Sequence, residues 1–260
     1  MQARKRGQTV ERRKQILHEL SAAGKVLVNE LSRKFGVSEV TIRNDLDQLE
    51  RKNMLIRARG GAIKTESGMG IAYHISEKDK LHNSEKARIG KRAAQLIKEH
   101  ETVIIDSGTT TLEIARNLGH LKEITVVSNA LNIISQLVQF NGFNLIIPGG
   151  YLRKNSLSLV GSLAEKNFQN LYVDKIFLGV NGIDTRHGIY TTNIEEASLN
   201  EIMIRHAREV ILVSDSSKFL RRSLAYICGI EMIHRVITDN GIPEEDKKRL
   251  EDAGIEVILA

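Results

Sequence analysis

The strongest constraint on this chain is a series of seven short apolar runs, separated by helical patterns, beyond residue 100. They are Thr102–Asp106, Ile124–Ser128, Asn144–Pro148, Ile176–Val180, Val210–Ser214, Arg235–Thr238 and Ile255–Leu259. Their apolar character is continuous rather than alternating. Strands of that kind are buried on both faces, as in a parallel sheet covered by helices. The helix before the last run is marked by Pro243 at its first turn and Gly254 past its end. The expectation is an α/β body with a mostly parallel sheet and ligands at the carboxyl ends of its strands. No run of about 18 apolar residues exists, so no membrane-spanning helix is expected.

The N-terminal part follows a different pattern. Ile16, Leu17 and Leu20 share one helical face that Gly24 would end. Val28–Phe35 reads as a second helix, Gly36-Val37 as a tight turn, and Ser38 as the N-cap of a third helix. In that helix Ile42, Leu46 and Leu49 fall at i, i+4 and i+7, and Asn53 ends it. Met54–Ile63 then reads as two short strands around a Gly-rich tip. This order is that of a winged helix-turn-helix, expected over 1–64, with a linker over 65–83 and the α/β body over 84–260. Ser84 is expected to cap the first helix of the body, which runs through Ile89, Ala93, Leu96 and Ile97.

Charge separates the same two parts. Residues 1–64 hold 15 Lys and Arg against 7 Asp and Glu, a net of +8, and the remainder holds 23 against 25, a net of −2. A basic module on a slightly acidic body is the footprint of a nucleic-acid binder with a second function. The first turns of a recognition helix reach base edges in the major groove. Arg43 suits guanine O6/N7, Asn44 suits adenine N6/N7, and Val40 or the Thr41 methyl suits a thymine methyl, with Ser38 at the same end. Lys34, Arg57 and Arg59 are expected on phosphate, or the two wing arginines in the minor groove. With no tryptophan and 4% aromatic residues, stacking platforms for single strands are not expected. The expected partner is therefore double-stranded DNA, bound by a homo-oligomer (dimer or tetramer) because paired half-sites multiply a modest affinity.

In the body, Asp106-Ser107-Gly108-Thr109-Thr110-Thr111 follows a strand and opens a helix. Close backbone approach at Gly108, consecutive amides and hydroxyls suit a phosphate at a helix N-terminus. The stretch lacks Gly-Lys-Thr, so no nucleoside triphosphate is implied. Asn129, Gly149-Gly150 with Arg153, and Lys218 also follow strands and are expected to converge on that ligand, with Lys218 compensating its charge. The eight histidines lack two-ligand spacing, and no metal or cofactor is expected. The one cysteine, Cys228, has no intrachain partner, and with the absence of an apolar leader this points to the cytoplasm.

Taken together, Glu11–Ile16, Ser38–Leu46 and Arg57–Ala62 resemble the DeoR family of bacterial transcription regulators, and the likeness extends over nearly the whole chain. The Asp106–Leu112 and Gly149–Arg153 stretches look closest to regulators of amino-sugar catabolism. The resemblance implies a repressor released from its operator by a phosphorylated sugar. It also implies a sensor with a fold of the ribose-5-phosphate-isomerase type. In such isomerases an Asp-Gly-Ala-Asp stretch and a downstream glutamate act on the substrate; the matching positions here are Asn181-Gly-Ile-Asp184 and Glu195. An amide cannot accept a proton as a general base. Binding through Asn181, Asp184 and Glu195 is expected, and turnover is not. The alternative is a phosphosugar isomerase with a basic localising module.

Overall fold

The computed structural model describes residues 2–23, 25–51, 55–58, 60–63, 75 and 81–260. Gly24, Asn53, Met54 and Arg59, and most of the segment expected to link the parts, lie outside the described residues. The chain divides into two compact units, Met1–Ile71 and Ala72–Ala260.

The first unit comprises α1 (Gln2–Ala23), β1 (Lys25–Leu27), α2 (Val28–Phe35), α3 (Glu39–Arg51), β2 (Ile56–Ala58) and β3 (Gly61–Ile63). Gly36 ends α2 in the left-handed region at φ 62°, which a residue with a Cβ adopts only at a cost. The Ser38 hydroxyl then accepts the Thr41 amide at 3.2 Å, capping α3. Ile42, Leu46 and Leu49 are buried with Ile16, Leu20, Leu31 and Leu55, so the spacing read in the sequence faces one core. β1, not visible in the sequence pattern, pairs antiparallel with β3, giving a three-stranded wing in the order β1-β3-β2.

The second unit is built on seven parallel strands: β4 (Thr102–Ile105), β5 (Thr125–Val127), β6 (Asn144–Ile146), β9 (Val173–Leu178), β12 (Ala207–Val213), β14 (Arg235–Thr238) and β15 (Glu256–Leu259). Their order is β15-β14-β12-β9-β4-β5-β6. Alternate side chains enter two cores, one on each face. Ile104, Leu178, Leu212 and Val236 lie on one, against Phe168, Leu199, Met203 and Leu250. Val103, Ile105, Phe177, Ile211 and Ile237 lie on the other, against Ile89, Ile114, Leu118 and Leu137. The covering helices are α4 (Asn83–Ala94), α5 (Thr109–Arg116), α6 (Leu131–Leu137), α7 (Ser162–Phe168), α8 (Ile194–Arg205) and α9 (Glu244–Asp252). His82, not Ser84, precedes α4; the Ser84 hydroxyl instead donates to Glu85 one residue on.

Two small antiparallel sheets complete the unit. One is the hairpin β7 (Tyr151–Arg153) and β8 (Ser158–Val160); the other joins β10 (Gly182–Asp184), β11 (Gly188–Thr191) and β13 (Ala225–Cys228). The chain enters the main sheet at its middle, winds outward through β5 and β6, then returns to β9 and winds the other way. The switch point therefore lies between β4 and β9, where ligands of doubly wound sheets bind.

Candidate functional site

In the first unit, burial of the Ile42–Leu46–Leu49 stripe turns the other face of α3 to solvent. Val40 is 62% exposed, and Arg43 and Asn44 are exposed beside it. Arg43 pairs with Glu39 one turn back at 2.6 Å, a solvated pair that a stronger acceptor displaces readily. Thr41 is half-buried, its hydroxyl 2.9 Å from that of Ser38. Lys34 reaches Glu19 at 2.6 Å. Arg57 is drawn toward α3: its Nε lies 3.2 Å from Asp47 and its amide donates to Glu50 at 2.9 Å.

The sequence pattern gave Arg12 and Arg13 no contact of their own. Their Nε atoms donate to the two oxygens of Asp45 at 2.6 and 2.7 Å, and Asp45 is 2% exposed. Two basic residues of the +8 module thus hold α1 to α3.

In the second unit an open cleft lies at the switch point. Its cavity volume is about 90 Å3, against about 10–15 Å3 for one water on that measure, so a small polar molecule fits. Asp106 to Thr110 form its floor after β4, Gly179 to Asn181 follow β9, and Ser214, Asp215 and Lys218 follow β12. The start of α5 and the residues Lys86 and Lys218 are among its lining; helix N-terminal amides and lysines are groups that suit an anion. Asp215 accepts the Ser217 amide at 3.1 Å and so shapes the short helical turn that carries Lys218. Asn181 accepts the Thr191 hydroxyl at 3.1 Å.

Asp106 is nearly fully buried. Burial first, and the Glu196 carboxylate second, push its carboxyl up to about 8, against hydrogen bonds from Ser107 and Gly179 that favour the charged form.

Several expected residues lie elsewhere. Glu195 is exposed, and its neighbour Glu196 lines the cleft, because Asn193 caps α8 and Glu196 shares the face of buried Leu199 and Met203. Arg153 does not point a free charge at the cleft; it pairs with Glu196, which also accepts Ser158 at 3.0 Å and lies 3.2 Å from the Thr191 hydroxyl that Asn181 shares. Asp184 faces away, bonded to Arg222 at 2.6 Å and His187 at 3.0 Å. Burial alone would raise Asp184, but hydrogen bonds from His187, Arg222 and the Arg186 amide outweigh it and hold the carboxyl at about 2. Asn129 is buried, and its carbonyl accepts the Leu159 amide at 2.7 Å, tying β5 to the β7–β8 hairpin. Gly149 and Gly150 serve the same hairpin: a Cβ on Gly150 would lie 2.6 Å from the Val160 carbonyl. Thr111 is wholly buried behind the floor. Lys86, His82, Asn155 and Asn200 line the cleft without having been predicted. Among the described residues, no cluster of three His, Cys, Asp or Glu side chains could hold a metal, and no helix is long and apolar enough to cross a membrane.

A winged helix-turn-helix with an exposed polar recognition face, carried with a doubly wound α/β unit that has a polar cleft at its switch point, defines the class: a DNA-binding transcription regulator. Residues 12–67 match the DeoR-like helix-turn-helix domain and residues 81–240 the DeoR C terminal sensor domain, and the chain belongs to the DeoR family. It is 42% identical to the "Putative aga operon transcriptional repressor" of Escherichia coli O157:H7, over 96% of this chain and 94% of that one. It is 30% identical to the glycerol-3-phosphate regulon repressor of Escherichia coli K12, over 96% and 98%. Among solved structures, ribose 5-phosphate isomerase A from Methanocaldococcus jannaschii shows a partial likeness, with 16% identity, 54% of this chain, 55% of that chain and a TM-score of 0.39.

Proposed function

We propose that this regulator is a cytoplasmic repressor of a sugar catabolic operon, binding its operator as a homo-oligomer and released by a phosphorylated sugar. One observation carries the reading. The switch-point cleft sets the turn Gly108–Thr110 at the start of α5 and two lysines beside Asn155, Asn181 and Asn200, which suits an anion together with groups that hydrogen-bond hydroxyls. In the first unit Arg43, Asn44 and Val40 read the operator bases and Lys34 contacts phosphate. Arg59 stands as a wing contact from the sequence alone.

The ligand is bound and not converted. Asn181 offers an amide where a general base is needed, and the Asp184 carboxylate is engaged by Arg222 outside the cleft. The test is fluorescence anisotropy with DNA from upstream of the neighbouring genes, repeated with a panel of pentose and hexose phosphates. The reading predicts that one of them raises the operator dissociation constant. Operator binding indifferent to every sugar phosphate removes the sensing half of the reading.

A further inference from the structure

One wall of the cleft comes from an unexpected part of the chain. Ile75, Leu81, His82 and Lys86 line it. These residues occupy the start of the second unit, and Ile75 precedes the matched sensor domain, in the stretch between the two family matches. That stretch is the covalent connection to the DNA-binding unit.

Three features fasten this wall to the cleft. The Ile75 amide donates to the Asn155 carbonyl at 2.8 Å, and Asn155 itself lines the cleft. His82 takes a left-handed backbone at φ 55°, uncommon for a residue with a Cβ, and its carbonyl accepts the Lys86 amide at 3.0 Å. Helix α4, which follows, is seated on α5 with no spare room: a Cβ on Gly90 would come within 2.3 Å of the Glu113 Cβ and 2.9 Å of the Ile114 amide. Helix α5 begins with the Thr109–Thr110 floor. The floor and the wall are therefore two ends of one closely packed helix pair, and a molecule between them touches both.

We propose that the wall formed by Ile75, Leu81, His82 and Lys86 is a second binding surface for the effector and the element through which its binding is coupled to the operator. This rests on the sensing role proposed above and adds to it the place where the coupling resides. A ligand that engages this wall holds Ile75 and the 81–86 stretch, and it shifts operator affinity only by binding the operator-bound and operator-free protein with different affinity. Linkage then requires that operator DNA weaken effector binding by the same factor.

Hydrogen exchange on the full chain tests this, using the member of the sugar phosphate panel that binds tightest by calorimetry. Slowed exchange is expected at the Ile75 amide and across 82–86 as well as at 107–111. A second measurement uses Ile75→Pro, which deletes the donor to Asn155. Its ratio of operator dissociation constants with and without that sugar phosphate should fall from the wild-type value, about 5–150-fold for a typical coupling, to within about twofold of one. Protection confined to 107–111, with Ile75→Pro released like the wild type, overturns the proposal and leaves sensing intact. Calorimetry showing no binding by any sugar phosphate overturns the sensing role and this proposal together.

Discussion

Replacing Asp45 by alanine isolates what the arginine fork contributes. Breaking a buried ion pair from one side costs about 3–5 kcal/mol, because the remaining charge is left uncompensated. Here the carboxylate is 2% exposed, but Arg12 and Arg13 are 14% and 27% exposed, so both guanidiniums recover part of their hydration by small movements. The expected loss is therefore about 2–3 kcal/mol, a large share of the roughly 3–10 kcal/mol that a unit of about 70 residues has in total. The sequence supplies a convenient assay. All five tyrosines, Tyr73, Tyr151, Tyr172, Tyr190 and Tyr226, lie in the second unit, and there is no tryptophan. Tyrosine fluorescence in urea reports that unit alone, whereas far-ultraviolet circular dichroism reports both. Asp45→Ala should move a dichroism transition to lower urea and leave the fluorescence transition in place. The triple variant Arg12→Met, Arg13→Met, Asp45→Leu should recover most of the loss, since apolar replacement of a whole buried ionic group is often neutral or stabilising. A dichroism transition within about 0.5 kcal/mol of wild type, the range of ordinary surface substitutions, would refute the view that the fork holds α1 to α3.

Arg43→Ala should cost about 1–3 kcal/mol of operator affinity and relax specificity at one base pair, with little change in stability because its partner Glu39 is solvated; anisotropy on operator and scrambled DNA checks both. Asp106 keeps its proton to about pH 8 in the folded chain against 3.8 unfolded, so the folded state binds the extra proton between those values and stability falls as pH rises through them. Asp106→Asn should therefore gain stability over wild type at pH 8 and lose that advantage near pH 4, read from thermal melts at both. Glu196→Gln should destabilise the second unit by about 2 kcal/mol by leaving the Arg153 guanidinium short of its counter-charge, while Glu195→Gln, on an exposed side chain, should stay within about 0.5 kcal/mol; tyrosine fluorescence in urea measures both. Gly36→Ala should cost the first unit about 1 kcal/mol, since no atom lies within 4 Å of the new methyl and the whole effect comes from φ 62°, read from the dichroism transition.

The main sheet was legible because its signal is local and redundant. The inner strands bury side chains on both faces and so print continuous apolar runs; the edge strands β6 and β15 print similar runs although Ile146 and Leu259 are exposed, so there the run marks the strand but not burial on both faces. β1 left no such trace. It is three residues long, one of them buried, and it exists because β3 is there to pair with it. Gly61 marks that pairing, since a Cβ there would meet the Val26 carbonyl at 2.0 Å, but closeness of that kind is visible only in three dimensions. The exchange of Glu195 for Glu196 is a different failure. Asn193 followed three residues later by a glutamate is a helix-start signature, and Glu196 with Leu199, Asn200 and Met203 forms the inward stripe, so the correct residue was readable. Arg153 was not readable in this way, because its partner lies 43 positions away in sequence, on a different element.

The fork and the recognition helix also change what the +8 of the first part means. Among the described residues, Arg12, Arg13, Lys34, Arg43 and Arg57 have carboxylate partners within the same unit, and the pairs differ in how easily DNA can replace the acid. The solvated Arg43–Glu39 pair is worth about 0.3–0.5 kcal/mol, and a bidentate contact to guanine yields about 1–3 kcal/mol of discrimination, so exchange favours the base. Lys34–Glu19 is equally exposed on its lysine side and exchanges for phosphate on the same grounds. Arg12 and Arg13 face the reverse balance, since leaving Asp45 strands a carboxylate with almost no access to water. Under the proposed operator contacts, the charge that makes this unit look like a nucleic-acid binder is thus divided by burial into exposed pairs open to exchange with DNA and a buried fork that ties α1 to α3. Net charge measures the sum; specificity depends on the second part holding still while the first changes partners.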